Sequence, residues 1–275
     1  MKRNTTVFEN GALGFALLAA SACFNPAFGQ CKNPANTNMI VSGPNCIEKF
    51  ESSLWYVTDP AIIQLIKEDK VLVPTAGMTQ VGLTGVDWLM GGCNINGGGC
   101  KNVFSLSFRK VVPARNVNYF VAGAACRNSG KRLLTNAEWQ AAALGTPDPG
   151  LTDNKTTECN IGSSLDISLT GARTGCRSDV GAFDMIGNVL EFVADWGALA
   201  TTGNKWDPAF GSDVSHVGGA PGGMYFGLPG ATTRGGTYAN GSGGNFGLAG
   251  AYAIDQNGTP MSFGDGTAAG FRCGY

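Results

Sequence analysis

The sequence predicts an α+β protein, loop-rich and disulfide-stabilised, with two helices packed on twisted antiparallel strands. Three observations lead there. Helical signals of any strength are confined to one stretch, residues 118–144. Beyond Gly145 short apolar pieces alternate with glycine-rich excursions and show almost no helical period. Nine cysteines sit in a chain whose first residues read as an export signal, the setting in which disulfides persist.

The first helix is predicted over residues 118–128. Tyr119, Val121, Ala122, Ala125 and Cys126 recur at helical spacing, and Gly130 supplies a stop. A short extended piece, residues 131–134, follows. Thr135-Asn-Ala-Glu138 then has the pattern of a capping box, in which the Thr135 hydroxyl takes a first-turn N–H and Glu138 reaches back to Thr135. The second helix runs from there to about Leu144, ended by Gly145 and Pro147. Upstream the pattern is weaker: residues 61–67 fit a short helix, and residues 71–73 and 103–108 fit strands. A Gly/Asn-rich loop, residues 91–99, lies between cysteines and carries no assignable chemistry. Residues 181–196 are aromatic and apolar and hold one acid with a buried character, Glu191. The end of the chain, residues 233–275, reads as short strands separated by glycines. The forty-two glycines have no three-residue period, which excludes collagen.

Composition narrows the function. Residues are 14% charged, with a formal net charge of −1. No field of one sign is available for nucleic acid or an anionic membrane surface. Residues 1–29 read as a signal peptide: Lys2 and Arg3, an apolar run over residues 11–24, and small residues Ala27 and Gly29 before Gln30. The expected location is therefore the periplasm, the cell surface or the medium. A lipoprotein signal, with Ala20, Ser21 and Ala22 before a lipidated Cys23, is the alternative and the only route to a membrane. Either way Cys23 leaves the pool and eight cysteines remain: 31, 46, 93, 100, 126, 159, 176 and 273. Eight cysteines admit many pairings. Local closure favours Cys93–Cys100 and Cys159–Cys176, extends to Cys31–Cys46, and leaves Cys126 with Cys273. A metal site built on these thiols is disfavoured, because no Cys-x-x-Cys occurs and His216 is the only histidine. The sequons at Asn4, Asn154, Asn240 and Asn257 matter only in a eukaryotic secretory path.

Four stretches, in this order, carry a resemblance: GKRLLTNAEW (130–139), FDMIGNVLEF (183–192), RGGT (234–237) and GFRC (270–273). Together they resemble the formylglycine-generating-enzyme family, the sulfatase-modifying-factor domain. The resemblance implies a variant of the C-type lectin fold over residues 111–275, with residues 30–110 an extension or the first part of the domain. It also implies the Cys126–Cys273 disulfide. Residues 131–150 and 249–260, with the closing GFRC, are similar to the variable proteins of diversity-generating retroelements. In that group a C-type-lectin-like domain displays hypervariable side chains from its C-terminal segment.

The chemistry of the family is another matter. Its oxidase uses two cysteine thiolates just after the Arg-Gly-Gly strand to hold copper, a soft donor pair suited to Cu(I). Here residues 237–246 hold no cysteine, and none lies between Cys176 and Cys273. No catalytic copper is expected. The related iron-dependent sulfoxide synthases need a histidine cluster that His216 alone cannot supply. Asp184, Glu191 and Asp195 are near one another but Asp195 is more simply a capping acid, and no Gly-x-Ser-x-Gly or phosphate-loop signature occurs. The resemblance implies structural calcium at Asn188 and Glu191, for which roughly six to eight oxygens would be needed.

The expected function is therefore an exported, non-catalytic binding protein whose ligand is a protein or cell-surface molecule. A formylglycine-generating oxidase and a structural envelope component are the alternatives. The expected binding residues alternate with small ones after Gly236: Tyr238, Asn240, Asn245, Phe246, Tyr252, Asp255, Gln256, Asn257, Met261, Phe263 and Asp265. Tyr offers rigid amphipathic area and Asn adaptable hydrogen bonds, the composition of a paratope. The competing reading puts Phe246, Tyr252 and Phe263 in the core beneath the loops.

Overall fold

In the computed structural model the described residues are 30–150, 152–162, 166–198, 216–217, 229–239, 249–258 and 269–275. The predicted signal, residues 1–29, lies outside them, as do Asn240, Asn245, Phe246, Met261, Phe263 and Asp265. The described part contains three helices and three sheets, an α+β arrangement.

The helices begin where their caps dictate. α1 (Pro60–Lys67) starts with Pro60, and the Asp59 carboxylate accepts the Ala61 N–H at 2.8 Å. α2 (Tyr119–Asn128) is capped by Asn118, whose side chain accepts the Val121 N–H. α3 (Asn136–Ala143) carries the expected capping box, with both the Thr135 and Glu138 bonds formed. Asp195 adds a second cap, accepting the Asn136 N–H at 2.5 Å; this exposed acid stands apart from buried Asp184 and Glu191.

One sheet gathers β1 (Met39–Ser42), β2 (Asn45–Glu48), β6 (Arg132–Leu133) and β12 (Cys273–Gly274), in the order β1-β2-β12-β6. The last strand of the chain thus lies between β2 and β6, joining residues 30–110 to the C-terminus through main-chain pairing. A second sheet sets β3 (Ser52–Val57) between β4 (Met78–Val81) and β5 (Val103–Ser107). The third contains β7 (Leu190–Ala198), β8 (His216–Val217), β9 (Pro229–Gly235), β10 (Gly250–Gly258) and β11 (Ala269–Phe271), in the order β11-β7-β9-β10-β8. It is mixed rather than wholly antiparallel, because β11 pairs parallel to β7 and β8 parallel to β10.

One expected strand is absent. Residues 71–73 form no strand: the Leu72 carbonyl accepts the Asn38 side-chain N–H at 2.8 Å, while Leu72 and Val73 point outward. α2 packs its small buried face, Ala122, Ala125 and Cys126, against Leu54, Val103 and Phe271 in the largest apolar cluster. Trp139 centres a second cluster with Ile47, Leu134, Met185 and Val193.

Four disulfides close: Cys31–Cys46, Cys93–Cys100, Cys126–Cys273 and Cys159–Cys176. These are the four pairs read from the sequence. Cys126–Cys273 spans 147 positions and ties α2 to β12. Replacing both cysteines by Ala should lower the unfolding free energy by about 5 kcal/mol, from the chain entropy that so long a loop restores to the unfolded state. Non-reducing peptide mapping should recover Cys126 linked to Cys273. A peptide joining Cys126 to any other cysteine would contradict the arrangement.

Candidate functional site

The four motif stretches meet at one buried chain of contacts. Glu191, on β7, accepts the Trp139 indole N–H at 2.8 Å. Its two carboxylate oxygens also take Arg272, from Nη2 at 2.7 Å and Nε at 3.2 Å. Trp139 belongs to α3, and Arg272 lies between β11 and β12. Above the Trp139 ring, 4.9 Å from its centroid, sits the guanidinium of Arg234 on β9. All four side chains are buried. Burial works against the charge on Arg272, but Glu191, together with the nearby Glu51 and Asp184, more than offsets it and holds its pKa above the ordinary arginine value. Arg272 finishes its fork on the backbone carbonyls of Glu48 and Phe183, at 2.9 and 2.8 Å.

This arrangement explains the two glycines after Arg234. Gly235 and Gly236 have φ of +86° and +78°, a region in which L side chains are strained. A Cβ on Gly235 would stand 2.9 Å from the Met185 carbonyl oxygen, and one on Gly236 would stand 2.4 Å from the Ala249 Cα. The chain therefore presses against β10 here. Arg234 Nη2 donates to the Ala251 carbonyl at 3.1 Å and to the Gln140 side chain. Burial lowers the Arg234 pKa to about 10.

The expected binding residues begin on this support. Tyr238 is half-buried, and its N–H donates to the Asn188 carbonyl at 3.1 Å. Tyr252 follows Ala251 on β10 and is 49% exposed, so it is not the core residue that the competing reading made it. Asp255, Gln256 and Asn257 lie on the same strand. His216, on β8, is paired in register with Ile254.

Asn188 and Glu191 do not come together as calcium ligands. Both Glu191 oxygens are taken by Arg272 and Trp139. The Asn188 side-chain oxygen accepts the Ser168 N–H at 2.7 Å and the Asn160 amide at 3.2 Å, and its amide donates to Glu51 at 2.7 Å. A cation beside Glu191 would also face the Arg272 guanidinium. These residues do not fit the metal: Asn188 is satisfied by Asn160, Ser168 and Glu51, and Glu191 by Trp139 and Arg272. Among the described residues no group of three or more His, Cys, Asp or Glu is placed to hold a metal ion.

Two acids that sequence reasoning missed, Glu48 and Glu51, complete the network together with Asp184. Glu48 accepts from Lys131 Nζ at 2.9 Å, from Ser105 at 3.0 Å and from the Cys273 N–H at 2.9 Å. Lys131 belongs to the Lys-Arg-Leu motif, and a buried lysine requires such a partner. Burial, reinforced by Asp184 and Glu191, pushes Glu51 well above the usual carboxylate range. Burial also raises Asp184 from its ordinary 3.8 to about 7, against the opposing bond from the Gly171 N–H.

The chain matches the family model described as the sulfatase-modifying factor enzyme 1-like domain over residues 69–274. The match begins well before Val111, just after α1, and takes in β4 and β5. No curated protein matches the sequence. Solved structures that align with it include three variants of a Major Tropism Determinant. The U1 variant is 15% identical, with 90% of this chain and 54% of that one covered and a TM-score of 0.46. The P3c variant is 14% identical, covering 86% and 52%, with a TM-score of 0.41. The I1 variant is 19% identical, covering 57% and 37%, with a TM-score of 0.38. The chain thus spans about half or less of the length of these structures.

The raised acids set a pH dependence. Their stabilisation is fully present below the unfolded-state value and is lost as pH rises through the folded-state value, here from 3.8 to about 7 for Asp184. Acids whose pKa is lowered, Glu68 and Glu138, act below their ordinary 4.5. Unfolding free energy measured by urea titration should therefore fall between about pH 5 and about pH 8. Asp184→Asn, which keeps an acceptor for the Gly171 N–H, should flatten that slope. A wild-type stability that climbs across the interval, or an unchanged slope in the variant, would contradict the assignment.

The four motif stretches thus converge on the Trp139, Glu191, Arg234 and Arg272 contact, and the chain, with its α+β fold, belongs to the sulfatase-modifying factor enzyme 1-like domain family.

Proposed function

We propose that this chain is an exported, non-catalytic binding protein that presents its C-terminal segment to a protein or cell-surface ligand, in the manner of the variable proteins of diversity-generating retroelements. The observation that carries the binding reading is the placement of Tyr252. It stands exposed on β10, directly after the residue whose carbonyl is fixed by buried Arg234. Display residues on so anchored a strand lose little ordering entropy when a ligand binds. In this reading Tyr238, just after the Arg-Gly-Gly turn, begins the binding segment.

The non-catalytic part rests on the cysteines. All eight that follow Cys23 are in disulfides. No thiolate pair is left among them for Cu(I), which demands soft donors. Incubated with copper, oxygen and a Cys-x-Pro-x-Arg peptide, the protein should leave the peptide thiol intact. In this reading residues 1–29 act as an export signal, and the alternative, lipidation at Cys23, would tether the protein to a membrane.

Two tests bear on binding. The encoding genome should hold, beside the gene, a reverse transcriptase and a near-copy of the codons for residues 238–265 that differs at adenines. Once a ligand is in hand, changing Tyr238, Asn240, Tyr252, Asp255 and Asn257 to Ala should abolish binding. The Tyr252 change, at an exposed position, should move the unfolding free energy by no more than about 0.5 kcal/mol, and the others should leave the unfolding transition nearly unmoved. Variants that unfold the domain, or that bind as the wild type does, would show the face to be wrong.

A further inference from the structure

A second concave feature lies far along the chain from the C-terminal segment. A cavity of about 560 Å3 opens between the end of β2, the segment after β5 and the Arg177–Phe183 turn. Its floor is a pair of phenyl rings, Phe50 and Phe183, with centroids 5.3 Å apart. Three cations gather over that floor. Lys49 Nζ lies 5.8 Å from the Phe50 centroid, and the Arg109 and Arg177 guanidinium carbons each lie 5.9 Å from the Phe183 centroid.

These cations are not neutralised. Among the described residues none of the three enters an ion pair. In the interior Lys131, Arg173 and Arg272 are each matched to an acid, while Arg234 is held by a carbonyl, Gln140 and the Trp139 ring. Burial, then repulsion from Arg177 and Arg109, lowers the pKa of Lys49. Arg109 is held in place by its Nε, which donates to the Gly171 carbonyl at 3.2 Å, and its terminal nitrogens remain available. Three like charges held together repel one another. The chain is sparsely charged, with 19 cations and 20 acids, so such a grouping has no source in general composition. The rim has a different character: Leu72 and Val73 are 42% and 63% exposed, and Asn38 fixes their backbone through the Leu72 carbonyl.

We propose that this cavity is a binding site for a phosphate or sulfate monoester, its oxyanion held by Lys49, Arg109 and Arg177 and its organic body resting on Leu72 and Val73. Two guanidinium forks and an ammonium suit a tetrahedral oxyanion, since each fork offers two parallel donors. The apolar rim beside them makes an ester a better fit than the free ion.

The test is calorimetric titration of the full, oxidised chain with four probes: inorganic phosphate, phenyl phosphate, phenyl sulfate and neutral benzyl alcohol. At least one of the two esters should bind saturably, more tightly than inorganic phosphate, and weaken with added salt; which ester binds tighter separates a phosphate from a sulfate source. Benzyl alcohol should not bind. Arg109→Gln and Arg177→Gln should each weaken ester binding by about tenfold or more, the loss expected for one charged hydrogen bond. Val73→Glu, at an exposed position that unfolding should not touch, should abolish it. Tyr252→Ala should leave it unchanged, which keeps this site separate from the C-terminal face. Failure of both esters to saturate, equal binding of ester and free ion, binding of benzyl alcohol at ester affinity, or full affinity in folded Arg177→Gln would each overturn the proposal.

Discussion

The ion pair between Glu191 and Arg272 is the contact on which the remainder of the domain depends. Removing two charges from water is costly, and their attraction compensates only when every remaining donor and acceptor is satisfied. That condition is met here. Glu191 also takes the Trp139 indole, and Arg272 also donates to two carbonyls, one in each of the segments that flank it. The pair therefore does more than hold β7 near the C-terminus. It fixes the side of α3 that carries Trp139, and through the Trp139 ring it fixes Arg234. From Arg234 the constraint passes to the Ala251 carbonyl, one residue from the exposed tyrosine of the proposed binding face. The Cys126–Cys273 bond, adjacent to Arg272, secures the same point covalently.

This geometry separates the two halves of the family's inheritance. The structural motif residues, from Lys131 to Arg272, all have partners inside the protein. The positions where the family's oxidase keeps its copper thiols are occupied by other residue types, in a segment of glycine, asparagine and tyrosine. Under the proposed function, display positions carried on so anchored a scaffold can change while the buried motif contacts stay the same.

Much of the scaffold was legible because its signals are local. Asn118 and Thr135 cap α2 and α3 within three residues of themselves. Glu191 stood out as the acid of buried character in an apolar run. Other features were not legible, for a common reason. β2 and β3 bury Glu48, Ser52 and Ser53, so the apolar alternation that marks a half-buried strand is missing there; β5, which was read as a strand, buries Ser105 and Ser107 beside them. These residues are buried because they serve one another and Lys131, 83 positions from Glu48, a dependence no window of sequence contains. The parallel pairing of β11 with β7 is likewise nonlocal. Residues 71–73 misled in the opposite direction: an apolar triplet with strand propensity forms a cavity rim, because Asn38 takes the Leu72 carbonyl. Asn188 and Glu191 matched a ligand pattern, yet their donors are spent on the protein itself.

The central claim is that the Glu191–Arg272 pair is an interdependent unit and not two separate stabilising residues. A double-mutant cycle on Glu191→Ala and Arg272→Ala, followed by denaturant unfolding of the oxidised protein, measures this directly. Each single change should cost about 3–5 kcal/mol, because it strands a buried charge. The double variant should cost less than the sum by about 1–3 kcal/mol, the coupling expected of residues in one buried network. Single losses below about 1 kcal/mol, within the range of exposed ion pairs, or strictly additive losses, would contradict the account.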